Sequence, residues 1–239
     1  MKLSDEQIAE LIDESAKQVC VTDQCCVQLV AIADLPSRFG DFQICGFVSP
    51  CDGKEHTAII KGDIVGKRGV VTRVHSECLT GDVMGSKRCD CRDQLLESLK
   101  IIEKEGAGVV LYLRQEGRNI GLTEKIRAYA LQDHGLDTID ANIHLGYQPD
   151  ERDYRIAASI LKNLQVRSIK LLTNNPDKIR QLTSAGVQID ERLPLVIPPS
   201  EYNRAYLETK AKKSGHLLGK YADTRDISRI ESLRKRKKD

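Results

Sequence analysis

Three cysteines spaced Cys-x10-Cys-x-Cys, at Cys78, Cys89 and Cys91, constrain this chain more than any other feature. Three thiolates that meet at one metal with a fourth position open to water form the arrangement of a catalytic zinc site, whereas structural sites are closed by a fourth ligand. Leu95, Leu99 and Ile102 recur at helical spacing just after Cys91, so Cys89 and Cys91 lie near a helix N-terminus, where thiols lose their protons more readily. The same residues also suit free thiols, or a structural zinc completed by His75 or a distant residue.

At 239 residues the chain fits one large domain or two small ones and can bury a core without disulfide support. Its eight cysteines show no disulfide-rich spacing, and its first residues carry no secretory apolar run. A reducing, cytoplasmic setting is expected. Cys20, Cys25 and Cys26 read as structural thiols rather than metal ligands. No stretch approaches about 18 consecutive apolar residues, so no membrane partner is expected. Net charge is +2, with a local basic run, Arg234-Lys-Arg-Lys-Lys238, that reads as a solvated, disordered tail. A zinc-stabilised nucleic-acid module using that tail is the competing class. Three phenylalanines and no tryptophan leave little for base stacking, so no nucleic-acid partner is expected.

Along the chain, Ile8, Leu11 and Ile12 give a helical pattern within an N-terminal extension, residues 1–26. Short strands are predicted over Val27 to Ile32, Phe42 to Val48, Thr57 to Lys61 and Gly69 to Val74. From about residue 87 helices alternate with strands: a helix to Lys104, strand Val109 to Leu113, and a helix from Thr123 to His134. An amphipathic helix carrying Ile156, Ala157, Ile160, Leu161 and Leu164 follows Asp153. Strand Ile169 to Leu172, a helix from Pro176 to Ala185, strand Val187 to Ile189 and a last helix near Glu201 to Lys213 complete the pattern. The expected fold is mixed α/β (α+β), a β-rich N-terminal half packed with an α/β C-terminal half on one core.

Two further constellations carry chemistry. Strand Val109 to Leu113 runs into Arg114-Gln-Glu-Gly-Arg-Asn-Ile-Gly-Leu122, dense in charge and glycine where α/β proteins gather ligands. Arg118 offers a planar fork to phosphate or base edges and Glu116 an acceptor; a solvated turn is the plain alternative. Tyr129 lies near Ile126 and Ala130 on one helix face, which makes a core aromatic a strong plain alternative to a site role. Asp150 and Arg152 share a face if extended, as acceptor beside phosphate clamp; equally, Asp150 or Asp153 could cap a helix. In Leu172-Thr-Asn-Asn-Pro-Asp-Lys178, Asn175 can cap and Pro176 fits a first helical turn, leaving N–H groups for an anion, with Thr173 and Lys178 beside them.

Jointly, Arg73-Val-His-Ser-Glu-Cys78-Leu-Thr-Gly-Asp82, Arg88-Cys-Asp-Cys91, the loop Arg114 to Leu122 and Leu172-Thr-Asn-Asn-Pro176 resemble GTP cyclohydrolase II, in order from about Val27 to about Lys220. The resemblance implies a catalytic domain over 27–220, with 221–239 as tail, that opens the imidazole ring of GTP and releases formate and pyrophosphate. It implies one Zn²⁺ per subunit on Cys78, Cys89 and Cys91, and Mg²⁺ with the triphosphate. By the same resemblance Arg73, Val74, His75, Ser76, Glu77, Gln94, Glu116, Gly117, Arg118, Thr138, Thr173 and Lys178 contact GTP. Asp150 matches a proton acceptor and Arg152 a residue described as nucleophile, although a guanidinium lacks a free lone pair. Tyr129 matches a tyrosine that accompanies full formate release. Lys87 and Arg92 depart from the family's usual residues. A stand-alone homodimeric enzyme is implied, lacking the domain that makes dihydroxybutanone phosphate in fused homologues.

Overall fold

The computed structural model describes residues 2–17, 27–204, 206–207 and 217. Cys20, Cys25, Cys26, most of the expected last helix and the basic tail lie outside them. Among the described residues one seven-stranded sheet, ordered β1-β2-β3-β5-β4-β6-β7, organises the fold. β1 (Gln28–Ser37), β2 (Gly40–Ser49) and β3 (Lys54–Lys61) form an antiparallel meander that joins β5 (Gly108–Leu113). β4 (Val70–Ser76), β6 (Ile169–Leu172) and β7 (Ile189–Leu193) continue it in parallel with β5. The mixed α/β class is therefore a single sheet, antiparallel on one side and parallel on the other.

The sheet separates two apolar cores rather than covering one. Val109, Leu111 and Leu113 pack on one face and Val110 on the other; Val70 and Val71, like Leu171 and Leu172, divide the same way. Side chains alternate faces along a strand, so an unbroken apolar run such as Val109–Leu113 marks burial on both sides. α3 (Cys91–Glu105) covers one face with Leu99 and Ile102. α1 (Asp5–Ala16), α6 (Arg155–Asn163) and α7 (Pro176–Ser184) supply Leu11, Ile156, Ile160 and Leu182 to the other. α1 starts with a capping box between Ser4 and Gln7, and its Ser15 hydroxyl accepts the Leu29 amide at 2.7 Å.

α2 (Leu79–Asp82) and α5 (Thr138–His144) were not foreseen, being too short for periodicity to declare them. Strand Val187 to Ile189 is displaced to Ile189–Leu193. The amides of Gly186 and Val187 donate to Thr183 and Leu182, closing the end of α7 in a Schellman motif with Gly186 at φ 86°. Those amides are spent before a strand can begin. Tyr154 occupies the N-cap position of α6 without a side-chain cap bond, and Asp153 just before it accepts the Arg155 amide at 2.8 Å. Among the described residues no helix is long and apolar enough to cross a membrane.

From β4 the chain leaves across one face to reach β5, and β6 returns on β4's other side after α4 (Leu122–Asp133), α5 and α6. Such a switch point opens a crevice at the carboxyl ends of the parallel strands. Arg73–Ser76, Arg114–Gly121 and Thr173–Lys178 all emerge there.

Candidate active site

The thiol end begins where β4 stops. Glu77 stays paired to β5 through its amide on the Leu113 carbonyl, 2.8 Å, and Cys78 then caps α2. Asp82 locks this turn: its carboxylate accepts the Cys78 amide (3.0 Å), the His75 ring (3.1 Å) and the Tyr112 hydroxyl (2.9 Å). Cys91 opens α3. The sulfurs of Cys78, Cys89 and Cys91 lie within 4.8 Å of one another. Gly81 floors the cluster, where a Cβ would lie 2.9 Å from the Cys89 sulfur and 3.1 Å from that of Cys78.

Crowding decides the charges. Hydrogen bonds from Cys89 and Cys91, with Lys125 adding to them, hold the Cys78 thiol far below its usual range, against burial. Cys89, bonded to Cys78, is pushed up to about 11, and Cys91, facing both, higher than an ordinary thiol. Three thiols this close do not ionise together without a cation. Soft sulfur donors, a cradle kept clear by Gly81 and a cavity in front of them fit a thiophilic divalent ion that keeps one position open.

The loop after β5 bends through Arg118 and Asn119, at φ 61° and 74°. Arg118 donates to the Pro149 carbonyl at 2.9 Å and accepts the Glu151 amide, joining this loop to the segment carrying Asp150 and Arg152. Buried Glu116 pairs with Lys125 at 2.6 Å. Lys125 and Tyr129 stand four apart on one face of α4. Tyr129 is not a core aromatic: its neighbours Ile126 and Ala130 are exposed, and its hydroxyl meets Thr80 Oγ1 at 3.3 Å beside the thiols. Arg88 lies 4.9 Å above its ring. Thr138 and Asn142 of α5 line the same cavity.

That cavity continues into a second, more polar one, and Ser76, Cys91, Arg118, Arg152 and Tyr206 line both. Arg73 reaches into the second from β4, donating to the Leu172 carbonyl (3.1 Å) and to Gln94 (2.5 Å). Lys178 is buried, its ammonium 2.7 Å from the Val74 carbonyl and 5.1 Å from the Tyr154 ring. Asn175 caps α7 by accepting the Asp177 amide, and Thr173 accepts the Asn175 amide, so part of the expected anion seat is already bonded within the turn. Arg152 forks onto Asp150, with Nε 2.8 Å from Oδ1 and Nη2 on Oδ2. Burial opposes the Arg152 charge, but Tyr154 and Asp150 outweigh it and raise its pKa above that of an ordinary guanidinium. Burial likewise opposes the Asp150 charge, and Arg152 holds that carboxyl below its usual value.

Thus all residues expected at the site border this cleft except Val74, whose side chain sits in the core and which offers only backbone. His75 is buried, stacked on Tyr112 at 5.4 Å. Lys87 and Arg92 line neither cavity; Lys87 lies 4.7 Å over the Tyr202 ring. Sequence reasoning missed Gly81, Asp82, Lys125 and Tyr206. The spacing of Lys125 to Tyr129 was one local signal, and Asp82 stands four residues after the Cys78 whose amide it accepts; the contacts of Asp82 with Tyr112 and of Gly81 with the Cys89 sulfur join positions further apart.

A model of the GTP cyclohydrolase II family matches residues 28–194. A protein of Picrophilus torridus named GTP cyclohydrolase-2 is 51% identical over 192 residues, which cover 80% of this chain and 100% of that one. Its namesake in Citrobacter koseri is 54% identical over 191 residues, 80% of this chain and 97% of that protein. The Bacillus mycoides protein named Riboflavin biosynthesis protein RibBA is 56% identical over 184 residues, 77% of this chain but 46% of that longer protein.

Proposed function

The chain belongs to the GTP cyclohydrolase II family, and from that premise we propose how it carries out the family's hydrolysis of GTP in riboflavin biosynthesis. The products are formate, pyrophosphate and 2,5-diamino-6-(5-phospho-ribosylamino)pyrimidin-4(3H)-one. The observation that carries this reading is one continuous cleft with three thiols at one end and Arg73, Arg152 and Lys178 at the other.

GTP lies with its imidazole ring towards the thiols and its triphosphate towards Lys178, accompanied by Mg²⁺. Cys78, Cys89 and Cys91 hold Zn²⁺, which when bound supplies a Lewis acid able to make water nucleophilic near neutral pH. Tyr129, its hydroxyl steered by Thr80, faces the same end and assists removal of the formyl group. Glu116, Gly117 and Arg118 shape the base end, and Thr138 borders it. At the other end Arg152 stabilises charge on the α-phosphate as pyrophosphate departs. Its raised pKa and its fork onto Asp150 favour that electrostatic role over a covalent one. Lys178 and Arg73, both buried, add fixed positive charge that acts more strongly there than in bulk water. A homodimer in a cytoplasmic setting completes the proposal.

The test is to incubate zinc-loaded protein with GTP and Mg²⁺ and quantify formate, pyrophosphate and pyrimidine together, beside a Cys89→Ser control. Equal formate and pyrophosphate, both lost in the control, are expected. Pyrophosphate without formate indicates an enzyme that stops at the formamide, and neither product refutes the proposal.

A further inference from the structure

Lys125 has no role in the functional reading above, yet its position is closely specified. It stands one helical turn before Tyr129 with 9% of its surface exposed. Its ammonium lies 2.6 Å from Glu116 Oε1 and 3.2 Å from the Cys78 sulfur. Glu116 reaches onward: Oε2 accepts the Leu79 amide at 2.5 Å, and Oε1 also accepts the Gly117 amide at 2.9 Å. Leu79 directly follows Cys78 and opens α2, the short helix whose Gly81 floors the sulfurs. These contacts tie the thiol-bearing turn to two later, consecutive segments, the loop after β5 and α4, 37 and 47 residues further along.

An ammonium is rarely left this deep unless its partners compensate for the water it gives up. Here the partners are a carboxylate and a sulfur. A methionine would fill much of the same space while making neither contact, so space filling alone does not account for a lysine. Groups that hydrogen-bond to metal ligands orient them, and their removal typically costs about 10–100-fold in metal affinity. A sulfur held by an N–H donor on one side and by the Asp82-locked backbone on the other has little freedom to swing out of the cluster.

We propose that Lys125 is a positioning residue of the metal centre: its ammonium holds the Cys78 sulfur and the Glu116 carboxylate in a single arrangement, and metal retention by the three thiols depends on it. This rests on reading the thiol cluster as a zinc site. Lys125 acts through Cys78 and Glu116 rather than on the substrate itself. Through Glu116 the same link ties the thiol turn to the base end of the cleft.

The experiment compares zinc-loaded wild-type protein with Lys125→Met, Lys125→Gln, Glu116→Gln and the Lys125→Met/Glu116→Gln pair, by competition for zinc with a chromogenic chelator. Folding is followed by circular dichroism and melting temperature, and two Lys125 variants are made so that one folding failure does not decide the matter. The Lys125 variants should lose zinc about 10–100-fold more readily. The double variant should lose it scarcely more readily than the worse single one, because the two residues form one device. With GTP at saturating zinc, kcat should fall more than KM rises. Lys125 variants that keep zinc as tightly as wild type, even if they melt earlier, overturn the proposal and leave Lys125 a merely structural residue. Single-variant effects that simply add overturn the coupling. Wild-type protein that folds but takes up no zinc refutes the metal reading itself, a different result from tight zinc in every variant.

Discussion

Gly81→Ala tests the thiol cluster at its tightest point. The added methyl would lie 2.9 Å from the Cys89 sulfur, 3.1 Å from the Cys78 sulfur and 3.3 Å from Cys91 Cβ. Comfortable contact begins near about 3.5 Å, so these neighbours must give by roughly 0.2–0.6 Å. α2 cannot simply retreat, because its last residue, Asp82, is tied to His75 and Tyr112 and its first, Leu79, to Glu116. Metal sites accept ligand distances only within about 0.2 Å of ideal, so the shift demanded of Cys89 is well beyond what a bound ion tolerates. Overpacking of this kind costs about 1–3 kcal/mol, which at this chain length lowers the melting temperature by roughly 2–12 °C. The expected result is a folded protein with a lower melting point, zinc affinity down at least about tenfold, and formate release falling with it. Gly46→Ala is the control: its methyl meets nothing within 4 Å, and its melting point should move by no more than about 2 °C. Chelator competition and formate release are measured on both. A Gly81→Ala protein that melts earlier but binds zinc and releases formate like wild type would refute the argument that close seating of the thiols sets metal binding.

Tyr129→Phe removes a hydroxyl 3.3 Å from Thr80 Oγ1 and should leave pyrophosphate release intact while formate release drops; equal amounts of both products would show that the hydroxyl is dispensable. Arg152→Lys replaces a two-pronged guanidinium on Asp150 with a point charge, and pyrophosphate release should slow by about 10²–10³-fold with zinc uptake unchanged. A pH effect on stability follows from His56 and His75, whose pKa values burial lowers. Below about pH 6.5 the unfolded chain binds protons at these rings that the folded chain refuses. Stability should therefore fall as pH drops from about 6.5 towards the lower folded values, by at most about 1.4 kcal/mol per pH unit per ring, and stay level in this respect above it. Urea unfolding of metal-free protein at several pH values measures the slope, which His56→Gln should reduce.

How much could be read beforehand depended on how local the cause was. Val109–Leu113 announced itself as a strand because both its faces are covered, and α7 because Asn175 and Pro176 start a helix from their own chemistry. Asp150 and Arg152 are two apart, and a contact of that range can be anticipated. What spacing could not supply was the reach of Asp82 to Tyr112, of Lys125 to Cys78, or of His56 to the Arg114 amide. Asp82 meets Tyr112, and Lys125 meets Cys78, because parallel β4 and β5 end side by side, while His56 meets Arg114 because antiparallel β3 begins where β5 ends. Periodicity alone favours a core place for Tyr129, because the face of α4 that is buried is decided by the thiol turn and not by the periodicity of α4.

The docking of α1 has a consequence for the order of events on the ribosome. It reaches far ahead: Glu14 accepts from Gln165, 151 positions later, and just before β1 the Val27 backbone likewise bonds Ser159 and Asn163. At about 5–20 residues per second, roughly 8–30 s separate the synthesis of those partners. For that interval the nascent helix presents Ile8, Leu11 and Ile12 with nothing from α6 to cover them, a window in which chaperones or neighbouring nascent chains compete for the stripe.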